Sequence, residues 1–304
     1  MNVRRGTYSI AARDPSSGEL GVAVQSHWFS VGSIVTWARA GVGAVATQSI
    51  AEPAYGPALL DRLEAGDQPQ EALAAELAAD ELSRFRQVAV VDSAGRVGVH
   101  TGAGCMAYAG HQGGNGFSAQ ANMMTSAEIW PAMATAFEAA DGPLARRLLA
   151  ALDAGEDAGG DVRGRQSATL LVVPAAGEAW RATVELRVED HPDPLAELRR
   201  LLDLHDAYAL ADRADALAGE GRHDLAQRLY GRAAETAPEN VELSFWAGLG
   251  IAAAGDLEGG LEKVRVALDA HHGWRQLLAR LEPEIAPAAE AVRGALGVEA
   301  ESAD

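Results

Sequence analysis

TYSIAARDPSSGELGVAVQS, running from Thr7 to Ser26, decides the fold. Thr7 to Arg13 alternates and is rich in strand formers. DPSSGE follows, with Pro15 and Gly18 supplying turn chemistry. LGVAVQS, Leu20 to Ser26, is the return strand. Two strands on so short a link pair as an antiparallel hairpin. A parallel pair would need a crossover of about a dozen residues or more. The early sheet is therefore antiparallel, which argues against a doubly wound α/β fold.

The pattern extends outward from this hairpin. IVTWA and GVGAVATQS (Gly41 to Ser49) continue the sheet, with glycines that point to close backbone approach or a bend. Two helices follow: PALLDRLEAG, after Gly56 and ended by Gly66, and PQEALAAELAAD, opened by Pro69. RQVAVVD and RVGVHTG are strands joined through Ser93-Ala94-Gly95. CMAYAG and FSAQANM read as strands around HQGGNG (His111 to Gly116), a flexible loop. That loop lacks the strand-to-helix setting of a phosphate cradle, so no nucleotide is expected there. SAEIWPAMATAFEAAD, capped by Ser126 and stopped by Gly142, and PLARRLLAALDAG, ended by Gly155, are amphipathic helices. SATLLVV and WRATVELRV are the last strands. The order is strands, two helices, strands, two helices, strands. Two stacked sheets with a helix layer outside each bury all of these faces. The expected fold is α+β, a four-layer αββα sandwich over residues 1–192.

Composition shifts at HPDPLAEL, where Pro192 and Pro194 mark a boundary. Residues 193–304 read as an all-α domain ending in a disordered acidic tail. LAGEGRHDLAQRLYGRAAETAP (Leu217 to Pro238) resembles IAAAGDLEGGLEKVRVALDAHH (Ile251 to His272). Gly221 and Gly255 stand 34 residues apart, as do Ala233 and Ala267. That period resembles a tetratricopeptide repeat, although Gly260 replaces the expected Ala. An unrelated helical bundle is the alternative.

The chain has 304 residues, 48% of them hydrophobic, and a net charge of −18. Such acidity argues against nucleic acid and against anionic lipid, both of which need a basic face. No run approaches the roughly 20 apolar residues of a membrane span. MNVRRGTYSI is too short and polar for a secretory signal, and a cytoplasmic protein is expected. Cys105 is the single cysteine, so an intrachain disulfide framework is excluded. It lies in an apolar stretch and reads as packed rather than nucleophilic. His271-His272 has no partner ligands, so no metal is expected. Apolar helix stripes near residues 56–79 or 126–154 point to a homo-oligomer.

Six stretches carry a family resemblance: TYSIAARDPSSGELGVAVQSHWFSVGS, ARAGVGAVATQS, PAYGPALLDRLEAG, FRQVAVVDSAGRVGVHTG, QANMM and AGGDVRGRQSATLLVV. In order, they cover most of residues 7 to 192 and resemble the DUF1028 family, a domain of unknown function. That family is placed in the N-terminal nucleophile hydrolase superfamily, whose four-layer sandwich agrees with the layout above. Some relatives carry a C-terminal extension described as peptidoglycan-binding. Residues 196 to 295 look more like a repeat scaffold, with a protein partner or self-assembly as their expected role.

The resemblance implies an amide or peptide-like substrate and no cofactor. Thr7 would be the nucleophile, with its own free α-amine (unperturbed pKa about 8) as base. This sequence departs from the pattern, because MNVRRG precedes Thr7. Cleavage between Gly6 and Thr7 would free the amine; without it the base is missing. A Thr7 that merely opens an edge strand is the alternative.

Ser26, His27 and Ser30 follow a strand end, where polar groups project into a cleft; a packed histidine is the alternative. Thr47 and Gln48 end another strand and are expected to line the same cleft, unless they bond the loop that follows. Arg86 would pair with a substrate carboxylate or with an internal acid such as Asp161. GGDVRGRQSA, Gly159 to Ala168, packs polar groups at the mouth of a buried strand. There Asp161 and Arg163 clamp each other or orient the amine, and Gln166 and Ser167 offer donors. Their alternative role is to lock a buried loop. Asn122 is a substrate or oxyanion donor by family pattern. Two rival functions stand beside the hydrolase: a non-catalytic binding or scaffold protein on the same fold, and a lyase or cyclohydrolase acting on a small heterocycle.

Overall fold

A computed structural model describes residues 6–301. The rest of MNVRRG, and the last residues of the acidic tail, lie outside that range. β1 (Thr7–Arg13) and β2 (Leu20–Ser26) form the hairpin, with Tyr8 opposite Gln25 and Arg13 opposite Leu20. Asp14 fixes the turn: its Oδ1 accepts from the Ser16 and Ser17 backbone N–H groups at 2.7 and 3.0 Å. Its Oδ2 takes Arg147 at 3.2 Å.

A short helix, α1 (Gly32–Val35), then replaces the first half of the expected strand IVTWA. Val31 and Val35, one helical turn apart, both enter the core between the sheets, and that burial overrides their strand propensity. β3 (Thr36–Arg39) and β4 (Gly43–Ser49) follow, then α2 (Tyr55–Ala65) and α3 (Pro69–Ala78). β5 (Arg86–Asp92) and β6 (Val97–Thr101) pair as predicted.

The reading of residues 105–116 needs correcting. CMAYAG is irregular up to Gly110, and HQGGNG is not a flexible loop. β7 (Gly110–Gly114) pairs with β8 (Phe117–Asn122) as an edge strand. Its glycines accommodate rings: a Cβ at Gly110 would lie 2.4 Å from Trp130, and one at Gly114 would lie 2.1 Å from Phe117. α4 (Ile129–Ala139) begins three residues beyond Ser126, whose hydroxyl accepts from the Glu128 N–H ahead of the helix. α5 (Leu144–Asp157) runs through Gly155, which does not end it. A Cβ at Gly155 would press on Met133 and Tyr8 at 3.0 and 3.1 Å. β9 (Ser167–Val173) matches its prediction, while β10 (Val184–Val188) is shorter than expected.

The strands make a six-stranded sheet, β10-β9-β2-β1-β8-β7, and a four-stranded sheet, β3-β4-β5-β6. Every strand pair is antiparallel. α4 and α5 cover the outer face of the first sheet, α2 and α3 that of the second, and the inner faces meet. β5 shows how alternation builds this. Val88 and Val90 point out to Tyr55, Leu59 and Leu73. Ala89 and Val91 point in to Ala11, Val22, Val24 and Ala46.

The chain divides into two compact units between Arg199 and Arg200. That division falls inside α6 (Pro194–Gly219). Helices α7 (His223–Thr236), α8 (Val241–Ala253), α9 (Leu257–Ala270), α10 (Gly273–Arg280) and α11 (Ala289–Leu296) follow. α7 and α9 hold equivalent places in the 34-residue period. Gly260 has a packing reason: a Cβ there would lie 2.5 Å from the Gly248 carbonyl, so α8 and α9 meet backbone to backbone. The last described residue, Glu301, donates its N–H to the Ala279 carbonyl, and its carboxylate takes Arg280. No helix among the described residues is long and apolar enough to cross a membrane.

Leu59 has no exposed surface and sits against β4 and β5. Leu59→Ala should lower the stability of the N-terminal unit by about 2–5 kcal/mol, read as a lower urea midpoint at unchanged slope.

Candidate functional site

Between the sheets, the inward positions change from hydrocarbon to hydroxyl and amide at one end. Thr7 and Ser9 of β1, Ser26 of β2, Gln48 of β4, Gln87 of β5 and Gln120 and Asn122 of β8 are all buried there. The Gln48 Nε2 donates to the Gln87 Oε1 at 2.8 Å and to the Thr7 carbonyl at 3.1 Å. The Ser9 hydroxyl donates to the Gln48 Oε1 at 2.6 Å. The Asn122 Nδ2 donates to the Gln87 Oε1 at 3.1 Å and lies 3.4 Å from the Thr7 carbonyl. The Gln87 Nε2 reaches Thr101 Oγ1 and the Gly110 and Ala121 carbonyls at 3.0, 3.0 and 2.9 Å.

Thr7 stands where this network meets the loops, and its side chain closes onto the preceding peptide. The Gly6 carbonyl oxygen accepts from Thr7 Oγ1 at 2.6 Å, Ser26 Oγ at 2.5 Å and Arg163 Nη2 at 2.8 Å. Thr7 Oγ1 also lies 3.1 Å from Ser26 Oγ. Arg163 is aimed by Asp161 through a two-pronged pair, Nε to Oδ1 at 3.1 Å and Nη2 to Oδ2 at 2.7 Å. The Asp161 carboxylate is fully enclosed, while Arg163 keeps 26% exposure. It also accepts from the backbone N–H groups of His27 and Arg163 at 3.2 and 2.9 Å. Residue 6 fits against it only as glycine, since a Cβ there would sit 2.8 Å from Asp161 Oδ2.

Three non-glycine residues with positive φ lie at the end of β4, just after β8 and in the loop after β2. Ser30, Ser49 and Met123 hold φ of +54°, +74° and +58°. Non-glycine residues in this region cost about 1–3 kcal/mol and cluster at functional sites. Tyr8 braces the glycine loop from behind, donating to Glu156 Oε2 at 2.7 Å. Burial pushes its phenol well above the usual value, and Glu156 adds to this.

The sequence-predicted residues divide into two groups. Thr7, Ser26, Gln48, Asn122, Asp161 and Arg163 come together. The others turn elsewhere. The His27 ring is bonded to the Arg165 carbonyl at 3.2 Å. Ser30 takes Arg187 at 3.4 Å and lies toward β10. Thr47 points to the outer face and donates to the Glu52 carbonyl at 3.3 Å. The Gln166 Nε2 donates to Asp190 at 3.0 Å. The Ser167 hydroxyl donates to the Trp28 carbonyl at 2.5 Å and accepts from the Val31 N–H at 3.1 Å, holding the loop after β2. Arg86 lies on the outer face, paired with Asp80 at 2.6 Å and donating to the Ile50 carbonyl at 2.5 Å. Its partner is thus an internal acid, Asp80 and not Asp161. Sequence reasoning missed Ser9, Gln87, Gln120 and the Gly6 carbonyl. The signal for the side chains was present: polar residues at inward-facing steps of otherwise apolar strands.

Among the described residues no group of His, Cys, Asp or Glu is placed to hold a metal ion. Burial pushes the Cys105 thiol up, which keeps it protonated. The arrangement places the Thr7 hydroxyl on a carbonyl that two further donors, Ser26 and Arg163, also polarise, a combination that can serve acyl transfer.

The model of the DUF1028 family, described as a family of unknown function, matches residues 7–198. The chain belongs to the DUF1028 family. The crystal structure of SPO2555 from Silicibacter pomeroyi, itself described as DUF1028, is similar at 32% identity and a TM-score of 0.60. The similarity covers 65% of this chain and 84% of that one. No curated protein matches this DUF1028 chain. The family match opens at Thr7, the residue on which the polar cluster converges.

Two stability measurements check these contacts, one within the buried network and one at the outer-face Arg86–Asp80 pair. Gln87→Leu removes the partner of Gln48 and Asn122 and should cost about 1–3 kcal/mol for each group left unsatisfied, seen in urea unfolding. Asp80 is held below the usual carboxylate range, chiefly by the Arg86 hydrogen bond. A lowered folded pKa stabilises above the unfolded value of about 3.9 and is lost as pH falls through the folded one. The stability gap between the parent protein and Asp80→Asn should therefore be widest above about pH 4 and narrow below it.

Proposed function

We propose that this protein is an N-terminal nucleophile hydrolase of a small amide or peptide-like bond, with Thr7 as its nucleophile after cleavage of the Gly6–Thr7 bond. The observation that carries this reading is the Gly6 carbonyl, held by Thr7, Ser26 and Arg163 on the bond that must break. Ser26 donates to that oxygen and lies within reach of the Thr7 hydroxyl, so the two hydroxyls form a relay. Thr7 Oγ attacks the Gly6 carbonyl carbon while Ser26 Oγ and Arg163 Nη2 hold the developing oxyanion. The C–N bond breaks and the hydroxyl proton passes to the leaving nitrogen. This leaves an ester on Thr7 Oγ and a free α-amine. Water then hydrolyses the ester, releasing the Gly6 carboxylate and restoring the hydroxyl.

In the mature chain the same oxygen attacks an external amide, with the freed amine as base. Departure of residue 6 opens the space beside Asp161, where Arg163 is already aimed. Layering of helix, sheet, sheet and helix supports placing the unit in this superfamily. The 34-residue period supports a tetratricopeptide-like helical unit that binds a partner protein or joins copies in a homo-oligomer. A cytoplasmic location is part of the same reading. The second reading, a non-catalytic binding protein on this fold, draws on the 1% exposure of Thr7 in the uncut chain.

Intact-mass measurement of the purified chain separates the two. A mature form starting at Thr7 is expected, with Thr7→Ala and Ser26→Ala remaining uncut. Activity on small amides should vanish in Thr7→Ala and rise with pH through about 8 in the mature enzyme, as the amine loses its proton. A chain that stays uncut at Gly6 and is inert toward amides would overturn the hydrolase reading and favour the binding protein.

A further inference from the structure

On the L side of its α-carbon, residue 6 has room for hydrogen alone. A Cβ there would lie 2.8 and 2.9 Å from the two Asp161 carboxylate oxygens and 3.0 Å from their carbon. A bonded side chain does not come so close, so either the acid or the peptide would have to move. Neither is loose. The Asp161 side chain is fully enclosed. Its Oδ1 accepts from the Arg163 N–H and Nε, and its Oδ2 from Arg163 Nη2 and the His27 N–H. Those four bonds use the roughly four acceptor sites of a carboxylate. The backbone of Asp161 is tied as well, through its bridge to Met124. On the other side, Ser26 and Arg163 hold the Gly6 carbonyl at 2.5 and 2.8 Å. A methyl group on this α-carbon would break one set of bonds or the other. A polar substituent gains nothing, because the acid has no acceptor site left for it.

With Thr7 as the nucleophile, an external substrate meets the same wall. Its acyl group passes through an ester on Thr7 Oγ, as Gly6 does in self-cleavage. Ser26 and Arg163 fix its carbonyl oxygen. Its leaving nitrogen faces the Thr7 amine, which has taken the hydroxyl proton and must deliver it there. The third substituent of the carbonyl carbon is the α-carbon, which then falls where that of Gly6 lies, against Asp161.

We propose that the acyl half of the substrate is a glycyl group, with Asp161 as the residue that excludes an L side chain. This rests on the Thr7 mechanism and adds the substrate class to it. Thr7 Oγ bonds to the glycyl carbonyl carbon, the C–N bond breaks, and the amine departs with the proton. Water then splits the ester, giving the glycine carboxylate and restoring the hydroxyl.

Two measurements test the proposal. In the full chain, Gly6→Ala should slow formation of the species starting at Thr7 about tenfold or more, followed by intact mass. The processed parent enzyme should favour N-acetylglycyl-p-nitroanilide over N-acetyl-L-alanyl-p-nitroanilide by about tenfold or more in kcat/KM, the scale on which one methyl group discriminates. The probe pair needs no variant, so it decides the matter if Gly6→Ala does not fold. A parent chain left uncut at Gly6 would remove the Thr7 mechanism and the glycyl preference together. A processed parent with equal kcat/KM for the two probes, or with no activity on either, would overturn the glycyl preference and leave Thr7 as the nucleophile. Processing of a folded Gly6→Ala at the parent rate would do the same.

Discussion

Gln87 is enclosed between two sheets, and its amide has to find every partner within the protein. Its Nε2 is shared among a hydroxyl and two carbonyls, and its Oε1 takes the amides of Gln48 and Asn122. Both strand pairings bear on this one side chain, because the residues it joins come from β4, β6, β7 and β8. A slip of one residue in either sheet would turn these groups to the outer faces and leave buried amides unmatched. The network therefore fixes how the two sheets register at the end where Thr7 lies. Farther along, alanine and valine fill the same interlayer and impose much less specificity of position.

That fixed register sets the environment of the Gly6–Thr7 peptide. Gln48 and Asn122 hold the Thr7 carbonyl from inside, while Ser26 and Arg163 hold the Gly6 carbonyl from the loop side. Asp161 ties the arginine to the loop after β2 through the His27 N–H. Peptide groups are usually satisfied by sheet partners. Here side chains reach two successive carbonyls, those of Gly6 and Thr7. Of the strained residues, Ser49 closes β4 and Met123 follows β8, while Ser30 lies in the loop after β2.

How much of this was legible depends on where each signal lay. β1, β2, β5 and β9 could be read to the residue, because alternation and turn chemistry are local. α1 could not, because Val31 and Val35 read as strand formers until a second sheet offers them one buried stripe. β7 could not, because its glycines are there to admit Trp130 and Phe117, and nothing in GHQGG names those rings. At the site, Thr7, Asp161 and Arg163 stood out by resemblance and polar density. The parity of Thr47 and Gln48 separates them: one step along β4 sends Thr47 to the outer face and Gln48 to the network. Arg86 shows the same parity, which is why it meets Asp80 outside and not a group between the sheets.

The helical unit obeys a different economy, in which glycine rather than amide decides contact. Gly248 and Gly260 bring α8 and α9 together at their backbones, and Gly250, two residues along on the other side of α8, admits the ring of Tyr230. A side chain at any of the three would drive helices apart or displace the tyrosine. With Tyr230 displaced, Asp215 would lose the donor that orients it. Asp215 on α6 is thus oriented, through the Tyr230 hydroxyl, by the absence of a side chain two helices away in sequence. Such long-range dependence explains why a repeat period alone, however clear, describes the helices without disclosing the chemistry of the space between them.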